Sequence, residues 1–244
     1  MTRARLDQLV VQRGLVESRE KAQRLIRAGA VRVADQPATK PGHLYPDDAE
    51  ITMDAPPRFV GRGGEKLEAA LNHFSIDVHD MVCADIGAST GGFTDCLLQR
   101  GARRVYAIDV GKGQLHWDLR QDERVVVMEG VNARELKPDQ FEEAPSFAVV
   151  DVSFISLTKV LPAVTTILAS GGGVITLIKP QFEAGREQVG KGGVVRDGAI
   201  HEEVIEKVRL FGTERIGWRW HGHCVSPITG PAGNVEFLAY WRRQ

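Results

Sequence analysis

Cysteine is scarce in this chain. There are three, Cys83, Cys96 and Cys224, in 244 residues. An odd number, widely spaced and without a Cys-x-x-Cys, argues against a disulfide scaffold and against a zinc site. Cys83 and Cys96 fall in apolar runs and read as inert buried thiols. No apolar stretch reaches the roughly 18 residues that a membrane-spanning helix needs. The nearest approach, Val160 to Ile178, is broken by Pro162, Ser170 and three glycines. Residues 1–14 lack the apolar segment of a signal peptide, so a soluble, cytoplasmic protein is expected. His221-x-His223-Cys224 has no third spaced ligand, and no metal is expected there. An excess of one charge is also missing. The net charge is −1, so the whole chain does not announce a nucleic-acid partner.

The distribution of charge is more informative than its sum. Residues 1–33 hold eight Lys/Arg against three Asp/Glu, and the remainder is acidic. A basic module joined to a near-neutral or acidic one is implied. In that module Leu6, Leu9 and Val10 follow helical spacing over Leu6 to Arg13. Ser18 is an N-cap for a second helix that Gly29 stops. Ala22, Leu25 and Ile26 share one face of it, with Lys21, Arg24 and Arg27 on the other. Short extended pieces follow at 31–33, 36–42 and 49–53, and Pro56-Pro57 suits a linker. Arg5-Leu6-Asp7, Gly14-Leu15, Ser18-Arg19-x-x-Ala22, Leu25-Ile26-x-x-Gly29-x-Val31-x-Val33 and Lys40-Pro41 resemble an S4 domain, a small RNA-binding α+β module. That resemblance implies that Arg5, Arg19, Lys21, Arg24 and Arg27 meet RNA phosphates, a role for which positive charge suffices.

From residue 66 onward, helices alternate with buried strands. Helices are predicted over 65–74, 92–99, 157–169 and 199–211. Strands are predicted over 82–86, 104–109, 124–128, 147–151, 173–178, 216–225 and 234–241. Such alternation implies an α/β fold: a Rossmann-like, mostly parallel sheet with helices on both faces. The last two strands suggest an antiparallel C-terminal hairpin at one edge. The expected organisation is therefore a small domain over 1–57, a linker over 58–65 and the α/β domain over 66–244.

Between the first strand and its helix lies Asp85-Ile86-Gly87-Ala88-Ser89-Thr90-Gly91-Gly92-Phe93. Its glycines let the backbone approach a ligand, and the helix start offers free N–H groups. NAD, FAD or S-adenosyl-L-methionine could all use such a turn, although the spacing departs from GxGxxG. Asp109 ends the next strand, 22 residues after Gly87, where a carboxylate can accept from both ribose hydroxyls of an adenosine. Asn132, after the third strand, could meet the adenine. The loop resembles the first motif of S-adenosylmethionine-dependent methyltransferases in its FtsJ form. Asp85, Gly87, Ser89, Gly91 and Gly92 carry the match, and Phe93 closes the candidate cofactor site. The resemblance implies that Asp109 holds the ribose.

FtsJ-type enzymes carry a Lys-Asp-Lys-Glu tetrad, and this sequence has a candidate at each position: Lys66, Asp151, Lys179 and Glu236. Asp151 and Lys179 each follow a strongly apolar strand, at the carboxyl edge where α/β ligands bind. Glu236 is read as interior to an edge strand. Methyl transfer is an in-line displacement, so orientation of the acceptor matters. A ribose hydroxyl is a poor nucleophile and gains from losing its proton. A lysine can take that proton only when partly neutral, which a second lysine and partial burial favour. Lys179 is the expected base, Lys66 its tuner and the holder of the target nucleotide. Asp151 and Glu236 are expected to orient both.

Phe59-Val60-x-Arg62-Gly63-Gly64-x-Lys66-Leu67, Asp151-Val152-Ser153-Phe154-Ile155-Ser156-Leu157, Lys179-Pro180-Gln181-Phe182-Glu183 and Gly190-Lys191-Gly192-Gly193-Val194-Val195-Arg196-Asp197 look like the TlyA/hemolysin A family. There an S4 domain precedes an FtsJ-like methyltransferase. Gly61 departs from the serine common in that family. The implied activity is 2′-O-methylation of cytidine in ribosomal RNA, with S-adenosyl-L-methionine as cofactor. The implied partners are ribosomal RNA or ribosomal subunits, with no membrane, and Arg62 is a further RNA contact. A non-catalytic RNA-binding factor and a membrane-active hemolysin stand as alternatives. The segment from Pro180 to Gly198 reads either as a flexible connection or as a substrate-side lid.

Overall fold

The computed structural model describes residues 2–54 and 57–244. Pro56 of the expected linker lies outside them. The chain forms two compact units, Met1–Arg58 and Phe59–Gln244.

The first unit begins with β1 (Arg3–Arg5), α1 (Leu6–Gln12) and α2 (Arg19–Arg27). It continues with β2 (Val31–Val33), β3 (Gln36–Pro37), β4 (Leu44–Pro46) and β5 (Ile51–Met53). Ser18 caps α2 by accepting from the Lys21 amide at 3.2 Å. Gly29, just past the helix end, is left-handed at φ 76°, a conformation glycine adopts without steric cost. β2 pairs with both β3 and β5, and β1 pairs with β4, all antiparallel. Leu6, Leu9, Val10, Ala22, Ile26 and Val31 form the core of this unit.

The second unit runs α3 (Gly63–His73), β6 (Val82–Ile86), α4 (Gly92–Gln99), β7 (Arg104–Asp109), α5 (Trp117–Gln121) and β8 (Val125–Glu129). It continues through β9 (Phe147–Val150), α6 (Leu161–Ile167), β10 (Gly173–Ile178), α7 (Pro180–Glu183), α8 (Gly198–Leu210), β11 (Trp218–Val225) and β12 (Phe237–Arg243). Residues 63–65, assigned above to a linker, are the first turn of α3. The single helix expected over 157–169 divides into a 3-10 turn (Leu157–Lys159) and α6. Pro162 has no N–H to give, so it fits only in the first turn of a helix, and α6 starts immediately before it. α8 runs on into a wide turn, Phe211–Ile216, that Gly217 ends at φ 79°, so β11 starts at Trp218.

The seven strands lie in the order β11-β12-β10-β9-β6-β7-β8. Five pair in parallel with one another, and β12 runs antiparallel to both of its neighbours, β10 and β11, so that β11 points the same way as the five. From β6 the chain moves outward through β7 and β8, then returns to β9 on the other side of β6. The reversal opens a crevice between β6 and β9 at their carboxyl ends, the usual ligand position in open α/β sheets. Both faces of the sheet are covered. Ala84, Ile86 and Val150 pack with α6 and α8 on one side. Cys83, Leu177 and Leu238 pack with α3 and α4 on the other.

Candidate active site

The carboxyl ends of the parallel strands form one row. Backbone pairing sets Ile86 beside Val150, so Gly87 and Asp151, the next residues, are neighbours. β12 runs antiparallel to β10, with Phe237 opposite Ile178. Glu236, just before β12, therefore reaches the same edge as Lys179, just after β10. The expectation of a strand-interior Glu236 on an edge strand is corrected on two points. β12 is internal because β11 covers it, and Glu236 stands just before the strand, its carbonyl accepting from the Ser226 amide at 2.9 Å. The preceding Asn234 is occupied elsewhere: its Oδ1 accepts from the Val195 amide at 3.0 Å and its Nδ2 donates to the Gly193 carbonyl at 2.9 Å.

The four tetrad candidates form two ion pairs at this edge. Lys66 Nζ donates to Glu236 Oε2 at 2.6 Å, with both side chains buried. Lys179 Nζ lies 2.5 Å from Asp151 Oδ1. It also donates to Ser153 Oγ at 2.9 Å and stands 5.9 Å from the centre of the Phe182 ring. Two glycine runs bring α3 close enough for Lys66 to take part. A Cβ on Gly92 would lie 2.9 Å from the Gly61 carbonyl oxygen and 3.0 Å from the Gly64 nitrogen. The amino ends of α3 and α4 thus meet backbone to backbone.

Two cavities open on this row. The larger, about 1170 Å³, runs past Ser89, Asp109, Asn132, Asp151, Ser153 and Phe154. The smaller, about 200 Å³, is bounded by Arg62, Lys66, the Gly87–Phe93 loop, Asp151 and residues 228–231. Gly87, Ser89 and Asp151 line both. Gly87 has φ 90°, and a Cβ there would come within 2.1 Å of the Asp151 carbonyl oxygen. Only glycine fits this seam. Asp109 is already organised: its Oδ2 accepts from the Ser89 amide at 2.8 Å and its Oδ1 from the Gly111 amide at 2.7 Å. Each carboxylate oxygen retains a lone pair for a ligand hydroxyl. Asn132 caps a short turn by accepting from the Arg134 amide at 3.1 Å. Phe154 is 90% exposed on the rim of the larger cavity, at φ 62°, with its ring 5.1 Å from that of Phe182. A free aromatic face of this kind can stack on a nucleobase.

The remaining expected contact residues differ in their surroundings. Asp85 faces α4 and is fully buried, accepting from Thr94 Oγ1 at 2.6 Å. Its Oδ1 has no hydrogen-bond partner among the described residues. Burial pushes its carboxyl up to about 7, the Thr94 hydrogen bond opposes this, and the charges of Asp151 and Asp109 add to it. Gly91 lies against Leu119 and Leu115, which a Cβ would strike, and it lines neither cavity. Gly92 and Phe93 line the smaller cavity. In the first unit, Arg5 and Arg19 both pair with fully buried Asp7, which also accepts from Gln23. Hydrogen bonding from Arg5, ahead of that from Gln23 and Arg19, holds the Asp7 carboxyl far below the usual carboxylate range. Lys21 pairs with Glu17. Arg24 and Arg27 are exposed and make no ion pair among the described residues. Arg62 is exposed at the smaller cavity. The 180–198 segment is anchored at its far end through Asn234, while Gln181, Phe182 and Arg186 line the larger cavity.

Ser153 and Glu183, which sequence alone did not mark as functional, lie in the Asp151–Leu157 and Lys179–Glu183 motifs. Glu183 is buried and ties two cavity arms together, accepting from Ser156 Oγ and the Leu157 amide at 2.6 Å each. Its burial pushes its carboxyl up. The residue types alone signalled neither contact.

Residues 59–243 match the FtsJ-like methyltransferase family. The chain belongs to that family. Residues 4–51 of this FtsJ-like protein match the S4 domain. It is 46% identical to the 16S/23S rRNA (cytidine-2′-O)-methyltransferase TlyA of Mycobacterium tuberculosis, over 99% of this chain and 91% of that one. Hemolysin A of Brachyspira hyodysenteriae is 45% identical over 97% of this chain and 99% of its own length. A solved structure from Streptococcus thermophilus is 50% identical with a TM-score of 0.77, covering all of this chain and 90% of that one. No helix among the described residues of this FtsJ-like protein is long and apolar enough to cross a membrane.

Proposed function

We propose that the protein transfers a methyl group from S-adenosyl-L-methionine to the 2′-hydroxyl of a cytidine in ribosomal RNA. The observation that carries this reading is the meeting of Lys66, Asp151, Lys179 and Glu236 as two ion pairs at one sheet edge. Likeness to the TlyA enzyme supports ribosomal RNA as the substrate. The residues suit the cofactor. The Gly87 seam admits close approach, and Asp109 has lone pairs left for the ribose hydroxyls. Asn132 lines the same cavity and would meet the adenine. When bound, S-adenosyl-L-methionine supplies an electrophilic methyl carbon on a sulfonium.

The chain's own residues prepare the acceptor. Asp151 fixes the direction of the Lys179 amine, and Lys179 takes the proton of the ribose hydroxyl as that oxygen forms its new bond. The Lys66–Glu236 pair holds the target nucleotide beside it, since an oriented acceptor lowers the barrier of an in-line step. The division of labour follows the two units. Residues 1–57 gather RNA through Arg24 and Arg27, with Arg5, Arg19 and Lys21 as further contacts, and residues 66–244 carry out the transfer. Such a reaction belongs with the ribosomes of the cytoplasm. The test is transfer of labelled methyl from S-adenosyl-L-methionine into rRNA, compared between the native protein and Lys179→Ala. Transfer is expected to fall by more than about 100-fold, with S-adenosylhomocysteine binding retained. A Lys179→Ala protein that still transfers would overturn the assignment.

A further inference from the structure

A lysine that serves as the base must first lose a proton, and its surroundings indicate where that proton goes. Lys179 is buried, and it lines neither cavity among the described residues. The two side chains that engage its nitrogen, Asp151 and Ser153, both line the larger one. They differ in chemistry. An ionised carboxylate can only accept hydrogen bonds, so Asp151, whose Oδ1 is 2.5 Å from Nζ, has no proton to offer a lysine nitrogen. A hydroxyl both accepts and donates. Ser153 can therefore stay bonded to the lysine nitrogen in either protonation state. In the structure Ser153 Oγ accepts from Lys179 Nζ at 2.9 Å. The hydroxyl proton must then point elsewhere, and Ser153 is exposed towards the larger cavity.

We propose that Ser153 is a positioning residue that passes the Lys179 proton to cavity water, leaving the lysine as the neutral amine. The proposal rests on the reading of Lys179 as the base. One Nζ–H bond breaks as an O–H bond forms at Ser153 Oγ. The original Ser153 O–H bond breaks, and its proton leaves on a water molecule for the buffer. Ser153 ends as a hydroxyl and Lys179 as an amine, with no other reactant consumed. The amine nitrogen then takes the ribose hydroxyl proton during methyl transfer, and the same route resets it.

The test compares steady-state kinetics of the native protein, Ser153→Ala and Ser153→Thr, using rRNA and S-adenosyl-L-methionine. In Ser153→Ala, kcat is expected to fall about 10- to 100-fold while KM for both substrates stays within about twofold. Ser153→Thr keeps a hydroxyl and should recover kcat to within about threefold of native. Added imidazole should raise kcat of Ser153→Ala in proportion to its free-base form, and leave Lys179→Ala unchanged. Native kcat in Ser153→Ala, a loss confined to KM, or a kcat loss that neither threonine nor imidazole relieves would each overturn the proposal. A native protein that methylates no ribose would instead refute the reading of Lys179, and the Ser153 route with it.

Discussion

Asp85 should make the protein less stable as pH rises through neutrality. It is fully buried on the α4 side of β6, with Thr94 satisfying one oxygen and no partner for the other among the described residues. Burial holds its carboxyl at about 7, against an ordinary value of 3.8. In the folded chain the proton stays on until about pH 7, whereas in the unfolded chain it is lost near pH 4. The stability tied to the protonated form is thus complete below pH 4 and lost as pH rises through 7. Three units at about 1.4 kcal/mol each set a ceiling of roughly 4 kcal/mol. Asp85→Asn keeps an acceptor for Thr94 and carries no charge. It should therefore be more stable than the native protein at pH 8 by up to that ceiling, with the difference shrinking towards zero near pH 4. Each kcal/mol moves Tm by roughly 2–4 °C for a unit of this size, so thermal unfolding at pH 4.5, 6 and 8 would resolve the effect. An Asn variant less stable than native at pH 8, or a difference that does not change with pH, would refute the reasoning.

Two further outcomes follow from the ion pairs. Lys66→Met leaves Glu236 buried and unpaired, which should cost about 3–5 kcal/mol in denaturant unfolding. Lys66→Met with Glu236→Gln should recover most of that stability without recovering methyl transfer. In the S4 unit, replacing Arg24 and Arg27 by Ala should weaken RNA binding and flatten its salt dependence by roughly one unit of slope per arginine, measured by filter binding over a salt series. Arg5→Ala should instead lower the unit's melting temperature, because it strips a partner from buried Asp7.

The layout of the parallel strands is legible in the sequence because strands covered on both faces are near-continuous apolar runs. Phe147–Val150 and Gly173–Ile178 are such runs, and the first polar residue after each, Asp151 or Lys179, necessarily marks the carboxyl edge. The same property hides side-chain direction. With both faces buried there is no alternation to read, so nothing local tells that Asp85 points to α4 rather than to a ligand. Glu236 belongs to the antiparallel return, where position depends on which strand β12 joins, a non-local fact. The partners of Arg5 and Arg19 are likewise tertiary, since Asp7 gathers Arg19 and Gln23 from the next helix. The contacts of Ser153 and Glu183 join segments after two different strands and leave no spacing signature.

The most direct test of the account is mass spectrometry of nucleosides from rRNA and ribosomal subunits treated with the protein and isotope-labelled S-adenosyl-L-methionine. Labelled 2′-O-methylcytidine is expected, and its absence when Lys179→Ala replaces the native protein. Label on a base, or label that persists in Lys179→Ala, would contradict it.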